Sequence, residues 1–184
     1  NALESCTGSN NVAIGYLSQQ DTTSGDKNVS LGAFALMNNT TGTQDVALGA
    51  NALVSNTTGG NTIAIGFDAC RIQTVGFDNI AIGTNASRTN DSGSKNVAVG
   101  IDSLYNNLNS NNTAVGYQSL KANTTGTANV AVGAEALDAN TTGAQNVAVG
   151  ARAVESCTTA GNNIGIGYSA VRETTTGANN VGVG

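Results

Sequence analysis

Side chains able to do chemistry are few in this sequence, and their arrangement argues against catalysis. The chain of 184 residues has no histidine, which excludes an imidazole base and the Ser-His-Asp and Cys-His sites built on one. The carboxylates, among them Glu4, Asp45, Asp68 and Glu135, are scattered rather than paired, so we interpret them as solvated surface. The Gly-Gly-x-Gly-x-Asp repeat that binds calcium is absent. We therefore predict no enzyme activity, no cofactor and no metal site.

Aromatic side chains at a regular spacing offer binding chemistry instead. Tyr16, Phe67, Tyr117 and Tyr168 are separated by 51, 50 and 51 residues. Duplication of a larger unit explains this spacing. Alternatively, three stacked strands at about 4.8 Å each would place the rings about 14 Å apart in one row. Such a row is a candidate surface for a sugar or another partner.

One five-residue motif recurs along the whole chain, so the fold of this motif must position these residues. Its commonest form is Asn-Val-Ala-Val-Gly, and its closing glycines are 17 residues apart except for one interval of 16. A fixed short period predicts stacked supersecondary units. We expect about eleven copies in one repeat domain over residues 1–184, as a fragment of a longer fibrous chain. The closing glycines are Gly15, Gly32, Gly49, Gly66, Gly83, Gly100, Gly116, Gly133, Gly150, Gly167 and Gly184.

Within this motif, β-branched residues alternate with alanine, which predicts a short strand. In the copy at residues 129–133, Val130 and Val132 should share one face and Ala131 should take the other. Stacking should turn the preceding asparagines into a hydrogen-bonded ladder. The glycine should have a positive φ or allow close backbone approach at a corner. The small alanine column should be sealed by the other side of the same coil or by a neighbouring chain, which favours a symmetric assembly.

Two less regular segments follow each glycine. A small residue and an often apolar one, such as Ala136-Leu137, predict a second strand or a corner. An Asn-Thr-Thr-Gly stretch, as at residues 140–143, predicts a polar turn on the outer edge of the coil. The least regular coils lie around residues 70–73 and 105–108. Because a binding site needs local irregularity, Arg71 and Tyr105 join the aromatic row as candidate binding residues.

The three cysteines form no evident disulfide framework. Cys6 and Cys157 occupy similar Glu-Ser-Cys-Thr contexts nine repeats apart, or about 40 Å at 4.8 Å per stacked strand. That distance excludes a bridge within the chain. We interpret the cysteines as small buried apolar fillers, with interchain disulfides or metal ligands as the alternatives.

Charge and hydropathy exclude two classes of partner. The net charge is −5, and seven basic residues are dispersed over the chain, whereas nucleic-acid binding needs Lys and Arg clusters. No apolar run approaches the roughly 20 residues that cross a bilayer, so we predict no membrane span in this segment.

The repeat resembles the head repeat of trimeric autotransporter adhesins of the YadA type, and similar repeats occur in viral and phage fibres. The likeness rests on Asn-Val-Ala-Ile-Gly at residues 11–15, on the small residue three positions later and on the following Gly-containing turn, copied along the whole chain. It implies a left-handed parallel β-roll in a homotrimer that binds host-surface proteins or glycans. The longer coil and the Asn-Thr-Thr-Gly turn depart from the family pattern.

The sequence therefore predicts an all-β protein, a parallel β-roll or β-solenoid of about eleven 17-residue coils. Its expected role is a segment of an extracellular adhesin or fibre on a cell or virion surface. That segment either mediates attachment or spaces a separate tip from the surface. Ice binding by a flat solenoid is the alternative, and it needs a regular outward threonine column.

Overall fold

The chain is a parallel β-solenoid, as predicted. The computed structural model describes residues 2–4, 6–173 and 175–184, and these form eleven three-residue strands and no helix. The strands form one parallel sheet whose order follows the chain. Because successive strands are parallel, the chain must return to the same end of the sheet before each new strand begins. It therefore completes one coil per strand. The strands are β1 (Val12–Ile14), β2 (Val29–Leu31), β3 (Val46–Leu48), β4 (Ile63–Ile65), β5 (Ile80–Ile82), β6 (Val97–Val99), β7 (Thr113–Val115), β8 (Val130–Val132), β9 (Val147–Val149), β10 (Ile164–Ile166) and β11 (Val181–Val183).

The predicted alternation along each strand is confirmed. Ala131 at the centre of β8 is 0% exposed, whereas Val132 beside it is 38% exposed. The same contrast holds along the sheet, with a buried residue at the centre of β2 to β10. We call the central residues the inner column. The side of the sheet that carries the first and third residue of every strand is the outer face.

The inner column packs against the other side of the same coil. The hydroxyl oxygens of Ser18 and Ser30 are 2.5 Å apart, and Gln19 Nε2 donates to Ser30 Oγ at 2.7 Å. A β-carbon added to Gly165 would lie 2.6 Å from Cγ2 of Val154. The close layer that small residues predicted therefore belongs to the chain itself. The alanine column, contrary to our expectation, gives no support to a symmetric assembly.

The segment after each glycine is a corner rather than a second strand. In the coil of Gly133, Glu135 and Leu137 have φ angles of 58° and 51°, a left-handed conformation that L-residues rarely adopt. The Leu137 side chain is fully buried and packs beneath the inner column. Its backbone N–H donates to the carbonyl of Ala153 in the next coil at 3.1 Å. Backbone hydrogen bonds of this kind between successive coils offset the local strain.

The closing glycines have a positive φ and also allow close backbone approach, so both expectations are confirmed. Their φ angles lie between 122° and 141°. A β-carbon on Gly133 would lie 2.4 Å from the carbonyl oxygen of Gly150 in the next coil. Because both the backbone angle and the space exclude a side chain, only glycine fits this position.

Asparagines connect successive coils through the predicted ladder. Asn129 Oδ1 accepts the backbone N–H of Asn146 at 2.9 Å, and Asn146 Nδ2 donates to the carbonyl of Ala160 at 2.9 Å. The first residue of the Asn-Thr-Thr-Gly turn also points inward, since Asn140 is buried and Nδ2 bonds Asn123 Oδ1 at 2.8 Å. Placing this whole turn on the outer edge was therefore wrong. Its second threonine, Thr142, is exposed.

The cysteines are free thiols in two kinds of position. Cys70 and Cys157 are buried, as expected of apolar fillers, and Cys6 is half-buried. Cys157 Sγ lies 3.4 Å from the carbonyl of Ala160, and Cys6 Sγ lies 3.7 Å from that of Gly8. Both thiols thus occupy the place of the turn asparagine. None of the residues that the structure describes belongs to a helix long and apolar enough to span a bilayer.

Candidate functional site

The outer face is a continuous apolar surface. Apart from Thr113, the first and third residues of the eleven described strands are all Val, Ile or Leu. They range from half-buried to exposed, with Ile14 at 58%. Eleven strands at about 4.8 Å and three residues at about 3.3 Å give a patch roughly 50 Å long and 10 Å wide. An apolar patch of about 500 Å² is at the upper end of what monomeric soluble proteins expose.

The aromatic row runs beside the outer face. Tyr16, Phe67, Tyr117 and Tyr168 directly follow closing glycines, and their exposed fractions lie between 49% and 73%. Ile101, which holds the same position in its own coil, is also exposed. The four rings therefore share one column, separated by intervening coils. Their role in binding stays a prediction.

The structure brings the other two candidates, Arg71 and Tyr105, into one group. The Nε atoms of Arg71 and Arg88 lie 3.7 and 3.2 Å from Asp68 Oδ2. Arg88 Nη1 donates to the Tyr105 hydroxyl at 3.0 Å, and Arg88 Cζ lies 5.5 Å from the centre of the Tyr105 ring. We call Asp68, Arg71, Arg88 and Tyr105 the arginine cluster. Phe67 of the aromatic row immediately precedes Asp68 in the chain.

Sequence reasoning missed Asp68 and Arg88, although the signal was present. Arg71, Arg88 and Tyr105 each stand five residues after a closing glycine, and Asp68 stands two after one. Stacking converts such equal offsets into spatial columns. Reading columns of charged residues, in addition to apolar ones, would have placed Arg71, Arg88 and Tyr105 together, whereas their contact with Asp68 depends on the geometry of the corner.

A second charged group lies on the same two columns near the C-terminal end. Arg152 Nε lies 2.7 Å from Glu135 Oε2, and Arg172 Nε lies 2.7 Å from Glu155 Oε2. We call these four residues the glutamate ladder. Burial, and then the charges of Glu155 and Glu135, raise the pKa of the neighbouring Asp138 above its ordinary value. Two glutamates match two arginines here, whereas one aspartate faces two arginines in the arginine cluster.

Asp45, which we interpreted from the sequence as solvated surface, is buried inside the solenoid. Asp45 replaces an asparagine of the ladder, and its Oδ1 accepts the backbone N–H of Thr62 at 2.9 Å while Oδ2 accepts from Asn56 Nδ2 at 3.1 Å. Burial raises the pKa of Asp45 to about 7, against the lowering effect of the Thr62 bond. Burial likewise raises the pKa of the Cys70 thiol to about 12. Both groups are fully enclosed, so neither is presented to a ligand.

The threonines of the turn divide into inward and outward columns. Thr57 and Thr124 donate their hydroxyls to the carbonyls of Thr74 and Thr141 in the next coil, at 3.1 and 3.0 Å. The following threonine of each turn is exposed, but Val75 interrupts that column. Ice binding needs a regular outward column, and this arrangement gives it little support.

Comparison of the chain with protein-family models, with curated proteins and with solved structures finds no match. The resemblance to the YadA-type head repeat therefore rests on the repeated motif and stays a prediction. The fold itself supports only the coarser statement that the chain is a repetitive β-solenoid.

Proposed function

We propose that this chain is a structural and adhesive segment of an extracellular fibre on a cell or virion surface. The observation that supports it is the outer face, which is a long apolar surface on a chain whose own core is already complete. A globular enzyme would bury such valines and isoleucines inside its fold. A fibre uses them between chains, because burial of apolar surface drives association.

The occupant that fits the outer face best is another copy of the same chain. Identical coils present the same residues at the same spacing, so two copies placed side by side match along their whole length. A face of about 500 Å² per chain is the larger part of the roughly 800 Å² per partner of a stable interface. Three copies around one axis, each giving its outer face to the centre, would remove all three outer faces from water.

Threefold symmetry and a left-handed coil are what the resemblance to the YadA-type head repeat adds to this proposal. In such an assembly the corners and turns face outward, where a host-surface protein or glycan can reach them. The near-identical coils serve as a spacer over most of the length. The arginine cluster lies in the less regular coils, where attachment would be concentrated.

Mass in solution tests the assembly. Light scattering on the wild-type chain should give a species near three times 18.2 kDa. Val132→Lys places a charge on the outer face and should shift the mass toward one chain, whereas Thr142→Lys on the exposed turn should leave it unchanged. A wild-type species of one chain at tens of micromolar would contradict the proposal.

A further inference from the structure

Two guanidinium groups share a single carboxylate oxygen in the arginine cluster. Asp68 is 7% exposed, and its Oδ1 accepts a hydrogen bond from Asn51 Nδ2 at 2.9 Å. Its Oδ2 faces both Arg71 Nε and Arg88 Nε. The carboxylate is thus held in place by a neighbour and is fully engaged. It fixes two cations on consecutive coils, whose backbones are about 4.8 Å apart.

The cluster carries an uncompensated positive charge. Two arginines face one aspartate, in a chain whose net charge is −5. Arg71 Nε is buried, and at 3.7 Å from Asp68 it makes no hydrogen bond. The side chains of Arg71 and Arg88 remain 39% and 23% exposed. The pair can therefore accept a further anion from solvent.

Aromatic rings accompany this charge. Tyr105 receives a hydrogen bond and a cation–π contact from Arg88, which orients the guanidinium. Phe67, which precedes Asp68, is exposed. Guanidinium groups form paired hydrogen bonds to carboxylate and sulfate oxygens. The C–H face of a sugar ring packs on an aromatic ring as other apolar groups do.

We propose that the arginine cluster binds an acidic polysaccharide, with Arg71 and Arg88 holding its carboxylate or sulfate and with Phe67 and Tyr105 contacting its rings. This inference rests on the proposed function in surface attachment and names the class of receptor. Asp68 is a positioning residue that holds the two arginines together.

The glutamate ladder supplies a matched control within the same chain. Arg152 and Arg172 lie on the same columns of the solenoid, but each is paired with a glutamate at 2.7 Å. Arg172 also lies 3.9 Å from Glu173. An anion that approaches them meets carboxylates rather than free positive charge. Removing either arginine pair changes the net charge equally, so the two variants separate a local site from general attraction.

The test uses the full chain on three immobilised polymers: carboxylated polygalacturonate, dextran sulfate and neutral dextran. We expect binding to the charged polymers and none to dextran. Arg71→Ala combined with Arg88→Ala should weaken binding about tenfold or more, since charge-assisted hydrogen bonds are lost. Arg152→Ala combined with Arg172→Ala should change it less than twofold. Binding to only one charged polymer supports the proposal and identifies the anion.

Three results would overturn the inference: no binding to either charged polymer, equal binding to neutral dextran, or equal losses in the two double variants. Circular dichroism and light scattering on every variant separate these results from misfolding and from failed assembly. A trimer that binds no acidic polymer would overturn this inference and leave the fibre proposal standing. A single chain that binds through Arg71 and Arg88 would sustain the inference and contradict the assembly.

Discussion

The two faces of each strand differ in the size and in the exposure of their side chains. The inner column holds the smallest side chains and is fully enclosed, whereas the outer face holds the larger valines and isoleucines and leaves them partly in water. An isolated protein usually shows the opposite arrangement, with its large apolar residues inside. The coil closes its own core with alanine and leucine, and the outer face is the surface left for the partner that we propose.

Ala131→Lys and Val132→Lys are expected to have the most unequal effects on stability, although the residues are neighbours in β8. The first places an unpaired charge in the enclosed interior and should lower the free energy of unfolding by about 3–5 kcal/mol. The second places it on the outer face and should cost a single chain about 1 kcal/mol or less. Denaturant titration followed by circular dichroism measures both, at a dilution where light scattering shows the wild type and both variants as single chains. Equal losses would contradict the assignment of inside and outside.

The pH dependence of stability tests the buried position of Asp45. Its folded pKa of about 7 lies above the ordinary 3.8, so the folded chain holds this proton more tightly than the unfolded chain. Stability should therefore fall as pH rises from about 4 to about 7, and level off above that. Asp45→Asn removes this dependence and restores an amide to the ladder, so it should stabilise the protein at pH 8 by on the order of 3 kcal/mol.

Asp21→Asn, on an exposed residue, is the control for this experiment. Denaturation midpoints at pH 5 and pH 8 give the comparison. A gain for Asp45→Asn that is as large at pH 5 as at pH 8 would show that the carboxyl group is not responsible.

The smallest expected difference in stability is between substitutions in the inward and in the outward threonine column of the turn. Thr124→Val removes a hydroxyl that donates to Thr141 in the next coil and should cost about 1 kcal/mol. Thr125→Val changes the exposed neighbour and should stay within about 0.5 kcal/mol. Thermal unfolding resolves the two. A larger loss for Thr125→Val would reverse the inward and outward assignment of the turn.

Much of the fold could be predicted because stacking makes each residue column an independent signal. The strands, the alternation around Ala131, the glycine corners and the asparagine ladder all follow from residue type at a fixed repeat position. The corner at Glu135 and Leu137 was one of two predicted alternatives, but its left-handed angles could not be predicted, because they occur in residues that do not favour them. Val154 and Val171 adopt them despite β-branching. There the hydrogen bonds between coils override local preference.

The candidate site was predictable in part. Arg71 and Tyr105 stood out as irregularities, but their connection runs through Asp68 and Arg88, which look ordinary in their own coils. Charge neutralisation depends on which columns adjoin at the corner, and the sequence pattern does not show that. The aromatic row was correctly placed in one column, while its use in binding awaits experiment.

Solvent protection of the outer face tests the central claim most directly. In a background of Cys6→Ser, the added thiols of Val132→Cys and Thr142→Cys can be titrated with a water-soluble maleimide, because Cys70 and Cys157 are buried. Both added positions are exposed in the single chain. If copies of the chain cover the outer face, the thiol at position 132 should react at least tenfold more slowly than the thiol at position 142. After unfolding, which also exposes Cys70 and Cys157, the two variants should react at the same rate. Equal rates in the native protein would contradict the account.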